Sequence, residues 1–125
     1  MKYLKLFESH NKIKLSELYN EHPHQSELIW QFVTEDEFES EYFETSTCNP
    51  QIIFEEWGIK DMYGESDHIQ TDLIKHYRNN ISETKESIII IDSDSKILID
   101  GYHRIVALYL EGVDKIQCVD LFNRF

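Results

Sequence analysis

The chain has 125 residues, 41% of them hydrophobic, and a formal net charge of −12. That length suits one domain with a real core, and the apolar content argues against wholesale disorder. No apolar run approaches the ~20 residues of a membrane span, and so acidic a surface repels duplex DNA, whose binding proteins neutralise phosphates with Lys and Arg. The start, Met1 to Glu8, lacks the long apolar region of a signal peptide. Cys48 and Cys118 stand far apart and form no CxxC. The expectation is a cytoplasmic protein with reduced thiols, although one disulfide is compatible with the sequence.

Taken in chain order, residues 1–11 read as a tail or an extra strand. Lys12 to Leu15 alternates polar and apolar side chains, as a half-buried strand does. Ser16 caps a short helix through Tyr19, and Pro23 closes the unit. Ser26 to about Thr45 reads as helical, with Leu28, Ile29, Phe32, Val33 and Phe38 on the apolar side. Thr34 and Glu37 form a capping-box pattern where a helix restarts. Asn49-Pro50 opens a helix from Gln51 to Trp57, stopped by Gly58. Asp67 caps another, His68 to Asn79, with Ile69, Leu73 and Tyr77 as its core stripe.

The last third changes character. Ser87 to Ile91 is a β-branched apolar run that predicts a strand buried on both faces. Asp92 to Ser95 has turn chemistry, and Lys96 to Ile99 is the return strand. Tyr102 to Glu111 reads as a helix with Ile105, Leu108 and Tyr109 inward, and Gly112 ends it. Lys115 to Val119 is a final strand. The order predicts a single α/β (α+β) domain with a small mixed sheet.

Chemistry concentrates at Asp100-Gly101-Tyr102-His103-Arg104. A Gly between strand and helix lets backbone approach a ligand. The N–H groups that follow lie at a helix start and face the positive end of its dipole. Arg104 offers a planar fork for phosphate oxygens, and His103 a donor or a proton. Asp100 is placed to cap the helix, hold a metal-bound water or act as a base. Cations at a helix start cost about 0.3–1 kcal/mol each, so two of them want an anion. The plain alternative is a capping Asp100, a turning Gly101, and a solvated His103 and Arg104.

The same residues, followed by Ile105-Val106-Ala107-Leu108, Glu111-Gly112-Val113 and Ile116-Gln117-Cys118-Val119, resemble the D-G-x-H-R signature of the ParB/sulfiredoxin-like superfamily. Lys12 to Leu18 is similar to the family's opening strand and turn. The resemblance covers a core of residues 12–18 and 86–120, and it leaves residues 24–80 as a helical insertion. It implies a nucleotide site for ATP or CTP. Gly101, Tyr102, His103 and Arg104 would bind the cofactor, and Asp100, His103 and Arg104 would carry the catalysis. Asp100 would also hold Mg²⁺. Sulfiredoxins carry their catalytic Cys where this chain has Tyr102, so sulfinic-acid reduction is not expected. Partition proteins continue into a helix-turn-helix region, whereas this sequence stops at Phe125, so that activity is not expected either. Small-molecule kinase or nucleotide hydrolase chemistry is what the resemblance leaves, since phosphoryl transfer asks mainly for positioning and charge neutralisation.

A second function class is a non-catalytic interaction protein. Its acidic residues 26–45, rich in Glu35, Glu37, Glu39, Glu41 and Glu44 with Phe38, Tyr42 and Phe43 between them, would bind and inhibit a basic partner by nucleic-acid mimicry. His68, Asp72 and His76 share a helix face at metal-ligand spacing, but a solvated strip is the simpler reading. His22-Pro23-His24 is a weaker metal pair. Lys75 and Arg78 are ordinary surface charges unless the fold carries them to the phosphate site. Trp30 and Trp57 are expected in the core.

Overall fold

The computed structural model describes residues 12–21, 27–61 and 71–124. The N-terminal tail, His22-Pro23-His24 and the stretch holding Asp67, His68 and Ile69 lie outside these residues. The described elements are β1 (Lys12–Lys14), α1 (Leu15–Glu21), a 3-10 turn (Glu27–Gln31), α2 (Glu35–Ser40), β2 (Tyr42–Cys48), α3 (Pro50–Glu56), α4 (Thr71–Asn79), α5 (Ile81–Glu86), β3 (Ile89–Asp92), β4 (Ile97–Asp100), α6 (Tyr102–Leu110) and β5 (Ile116–Arg124). The strands form one mixed sheet in the order β1-β2-β5-β3-β4. β3 runs parallel to β5, and the other neighbours are antiparallel. The α+β expectation holds.

Helices cover both faces of the sheet. On one face Leu15 and Leu18 of α1, Ile29, Val33 and Phe38 pack on Ile13, Phe43, Ile88, Ile90, Ile99 and Val119. On the other, Ile53 and Phe54 of α3, Ile74 of α4 and Ile105 to Leu108 of α6 pack on Ile89, Ile91, Ile116 and Cys118. Successive residues of a strand point to opposite faces. Ile88 and Ile90 therefore serve one core and Ile89 and Ile91 the other, which is why this run is apolar without alternation. Burying one such side chain is worth about 1.5–3 kcal/mol, so β3 links the two layers, as β5 does with Ile116 and Cys118 on one face and Val119 and Leu121 on the other.

Two sequence expectations are corrected here. The predicted helix from Ser26 to Thr45 ends at Ser40, and Tyr42 to Cys48 is strand β2. Glu41 is extended (φ −89°, ψ 146°), and Phe43 and Thr45 alternate inward on the period of a strand. The acidic residues suit a helix, but the aromatic and β-branched run among them prefers a pleated surface. Residues 24–80 are consequently no purely helical insertion, because β2 lies inside the sheet between β1 and β5. Trp30 is not core either: it is 43% exposed and lies against Phe38 with ring centroids 5.1 Å apart. Trp57 is half-buried against the second core.

The local signals place the remaining elements well. Glu37 N–H donates to Thr34 Oγ1 (3.1 Å) and Thr34 N–H to Glu37 Oε1 (2.9 Å), completing the capping box. Gln51 N–H donates to Asn49 Oδ1 (2.9 Å) at the start of α3, with Pro50 in its first turn. In the β3–β4 turn, Ser95 N–H donates to Asp92 Oδ1 (3.0 Å), and Asp120 Oδ1 accepts from Ser93 and Phe122 N–H groups (3.0 and 3.1 Å). Those bonds account for the burial of two carboxylates, Asp92 and Asp120.

Candidate functional site

The D-G-x-H-R turn forms where β4 hands the chain to α6. Gly101 opens the helix with φ 112° and ψ 23°, a backbone conformation that favours glycine. It is also buried against β3: a Cβ here would lie 2.7 Å from Ile89 Cγ2 and 3.1 Å from Ile89 Cβ. The glycine is thus required twice, by its dihedral angle and by the close approach of the helix to the strand. The first bond of α6 runs from Ile105 N–H to the Gly101 carbonyl at 2.8 Å. Among the described residues no side chain caps this end, and no acidic residue stands in the first turn.

Asp100 does not cap the helix. Its Oδ2 accepts a hydrogen bond from the Tyr19 hydroxyl at 2.5 Å, and its Oδ1 faces Arg104 Nη2 at 3.8 Å. The second separation is too long for a hydrogen bond and leaves charge pairing between two side chains that are 16% and 13% exposed. Arg104 Nη1 also donates to the Ile88 carbonyl at 3.1 Å. That carbonyl is fixed in turn by the link from α5. Ser87 Oγ donates to the Thr84 carbonyl (2.7 Å), and Thr84 Oγ1 donates to the carbonyls of Tyr77 (2.9 Å) and Asn80 (3.0 Å). Arg104 is therefore held by backbone at one edge and by a carboxylate at the other.

His103 is half-buried, and burial pushes its imidazole below the ordinary value of 6.5. Its ring meets Tyr102 edge-on with centroids 5.3 Å apart. Tyr102 packs against the second core and its hydroxyl is buried. The structure thus brings together Asp100, Gly101, His103 and Arg104, and it sends the Tyr102 ring inward. The partners that the sequence reading missed are Tyr19 and the Ile88 carbonyl. Tyr19 follows Leu15 and Leu18 at helical spacing, so its inward direction was readable. The identity of a carbonyl partner had no sequence signal.

Lys75 and Arg78 are not at this turn. With Thr71, Ile74, Asn79, Leu110 and Glu111 they line a cavity of about 440 Å³. Leu110 and Glu111 lie at the far end of α6, roughly 13 Å from its start at 1.5 Å per residue. Arg78 is paired there with Glu111, Nη2 to Oε2 at 2.8 Å. The same end of α6 is closed by Gln51, whose Nε2 donates to the carbonyls of Tyr109 (3.2 Å) and Val113 (3.0 Å). Among the described residues no group of three or more His, Cys, Asp or Glu is disposed to hold a metal ion. Asp72 and His76 are described and exposed, while His68 lies outside the described residues. No described helix is long and apolar enough to cross a membrane.

No protein-family model matches this chain, and no curated protein or solved structure is significantly similar to it.

Proposed function

We propose that the Asp100–Arg104 turn is the phosphate site of a nucleotide-binding, ParB/sulfiredoxin-like protein that takes ATP or CTP. One observation carries this reading. A nine-residue helix opens on a left-handed glycine with no side-chain cap among the described residues, and its first turn holds two basic residues and no acidic one. That end of a helix favours an anion through its dipole. A nucleotide phosphate would meet the α6 terminus, the Arg104 guanidinium and the His103 imidazole together. The Ile88 carbonyl takes one Arg104 donor and leaves others for phosphate oxygens.

A bound Mg²⁺ fits only as an ion shared with the nucleotide. Asp100 would be its single protein carboxylate, and Mg²⁺ commonly binds one or two carboxylates plus substrate phosphates. Magnesium would neutralise phosphate charge. The chain's own residues would hold the phosphate oxygens (Arg104), exchange a proton at an imidazole nitrogen (His103) and keep the carboxylate oriented (Tyr19 on Asp100). This donor set is suited to phosphoryl transfer or nucleotide hydrolysis, with Asp100 as the base for a small acceptor or a water.

The test is calorimetric titration with ATP and CTP in the presence of Mg²⁺, for wild type, Arg104→Lys and His103→Gln. Loss of the planar fork should weaken binding by about 10-fold or more, on the order of 1.5–3 kcal/mol for a charged hydrogen bond. Equal heats for wild type and Arg104→Lys, or none for either nucleotide, would reject the site.

A second reading is favoured by a different observation. Arg104 is already engaged inside the protein, while Glu35, Asp36 and Glu39 of α2 are all exposed beside buried Phe38. On that reading the turn is a scaffold and α2 is the working surface, which binds a basic protein. Replacing Glu35, Asp36 and Glu39 by their amides would then abolish capture of that partner and leave the fold intact.

A further inference from the structure

We propose that Cys48 and Cys118 form a reversible redox site, at which oxidation closes an intramolecular disulfide between β2 and β5. The inference stands apart from the nucleotide reading. The strand register places Ser46 opposite Cys118 and Cys48 opposite Ile116. With a side-chain period of two, Ser46, Cys48, Ile116 and Cys118 share one face of the sheet, and the two cysteines are diagonal neighbours. Both are free thiols at the second core: Cys118 is buried within it and Cys48 packs against it half-buried. Their thiols are close enough to influence each other's ionisation. The Ser46 hydroxyl lies 3.4 Å from Cys118 Sγ.

The two sulfurs differ in a useful way. Cys48 is the last residue of β2 and keeps some exposure, so a small oxidant reaches it. Cys118 has no exposure and lies behind it on β5, between β2 and β3. The hydrogen bonds from Cys48 and Ser46 draw the Cys118 thiol down, whereas its bond to Cys118 and burial push Cys48 up. The proton is thus easier to remove from Cys118 than from Cys48, while Cys48 is the sulfur that an oxidant meets. Among the described residues no third metal-binding side chain completes a metal site with them, which leaves a dithiol.

The oxidant required is a small peroxide. The Cys48 sulfur attacks one peroxide oxygen, the O–O bond breaks, the Cys48 thiol proton goes to the departing hydroxide, and Cys48 becomes a sulfenic acid as water leaves. Cys118 sulfur then attacks Cys48 sulfur, the S–O bond breaks, and the departing hydroxide takes the Cys118 proton as a second water. Two thiols are oxidised by two electrons and one peroxide is reduced to two waters. A dithiol reductant reverses the step by thiol–disulfide exchange. Diagonal neighbours stand at about 7–8 Å, near the limit of disulfide reach, so closure asks the end of β2, where Cys48 is the last residue, to shift toward Cys118.

The full chain, folded and reduced, is exposed to hydrogen peroxide, quenched with catalase, and denatured in N-ethylmaleimide. It is then digested and mapped without reduction. The expected product is a Cys48–Cys118 cross-linked peptide from monomeric chain, about 2 Da lighter than the sum of its two thiol peptides and lost on dithiothreitol treatment. Ser46→Ala, at an exposed position, should still form the link but severalfold more slowly. Cys118→Ser should leave a Cys48 sulfenic acid that dimedone traps. The wild-type map decides the matter even if that buried substitution unfolds the chain. Full N-ethylmaleimide labelling of both cysteines after peroxide would overturn the proposal. So would a link found only between chains, or one formed only when oxidation is carried out in denaturant.

Discussion

Replacing Gly101 by alanine tests the joint on which the site depends. The added Cβ would stand 2.7 Å from Ile89 Cγ2, 3.1 Å from Ile89 Cβ and 3.3 Å from Arg104 Nη2, at a φ of 112°. The left-handed backbone costs about 1–2 kcal/mol for a residue with a Cβ, and overpacking a filled core costs a further ~1–3 kcal/mol. The sum, about 2–5 kcal/mol, is a large part of the ~5–15 kcal/mol that stabilises a typical domain. At roughly 3–5 °C per kcal/mol for a chain of this size, Tm should fall by about 6–25 °C. Gly58→Ala is the internal control, because Gly58 has φ 81° but nothing within 4 Å of the new Cβ. It should lose only the backbone share. Urea denaturation followed by far-ultraviolet circular dichroism reads both. Adding Ile89→Ala, which removes Cγ2, should make the double variant lose less than the two single losses combined, by about 1 kcal/mol. If Gly101→Ala proves no worse than Gly58→Ala, helix α6 does not press on β3 as described and the reasoning fails.

Three further outcomes follow from particular residues. His103 should titrate below its ordinary value of 6.5 when followed by NMR. Because the folded pKa is depressed, its contribution to stability is fully present above 6.5 and is lost as pH falls through the folded value, where the unfolded chain takes the proton first. A bound nucleotide favours the imidazolium, so it should raise the His103 pKa, and affinity should rise as the solution is acidified into that window; a pKa unmoved by nucleotide would remove His103 from the site. Gln51→Ala strips two bonds from the end of α6, to the carbonyls of Tyr109 and Val113, and should cost about 1–3 kcal/mol in urea denaturation. Thr45→Val goes the other way: among the described residues the buried Thr45 hydroxyl has no hydrogen-bond partner, and its isosteric replacement should leave stability equal or raised by up to about 1–2 kcal/mol. A loss there would mean that the hydroxyl is satisfied after all.

The parts of the fold that were legible in the sequence are those with local chemical causes. Thr34 and Glu37 make a capping box, Asn49 and Pro50 open α3, and Asp92 and Ser95 turn the hairpin, each through bonds within three residues of one another. Ile88 to Ile91 announced burial on both faces because no polar residue interrupts them. What was not legible was decided at long range. β2 is a strand because β1 and β5 lie on either side of it, and a dense acidic run hid its alternation. Asp100 looked like a cap because it precedes a helix. Tyr19, 81 residues away in sequence, takes its carboxylate instead. Arg104 and Ile88 meet only because β3 and α6 pack together, so the motif located the guanidinium but not what holds it.

The most direct test of the nucleotide site is a residue-resolved titration of the isotopically labelled full chain with ATP and with CTP, each with Mg²⁺. The account predicts saturable shifts centred on the amides of residues 101–104 and on the Arg104 side chain, and smaller ones at Tyr19 and Ile88. Shifts absent from that turn at saturating nucleotide, or centred instead on the cavity between α4 and the far end of α6, would contradict it.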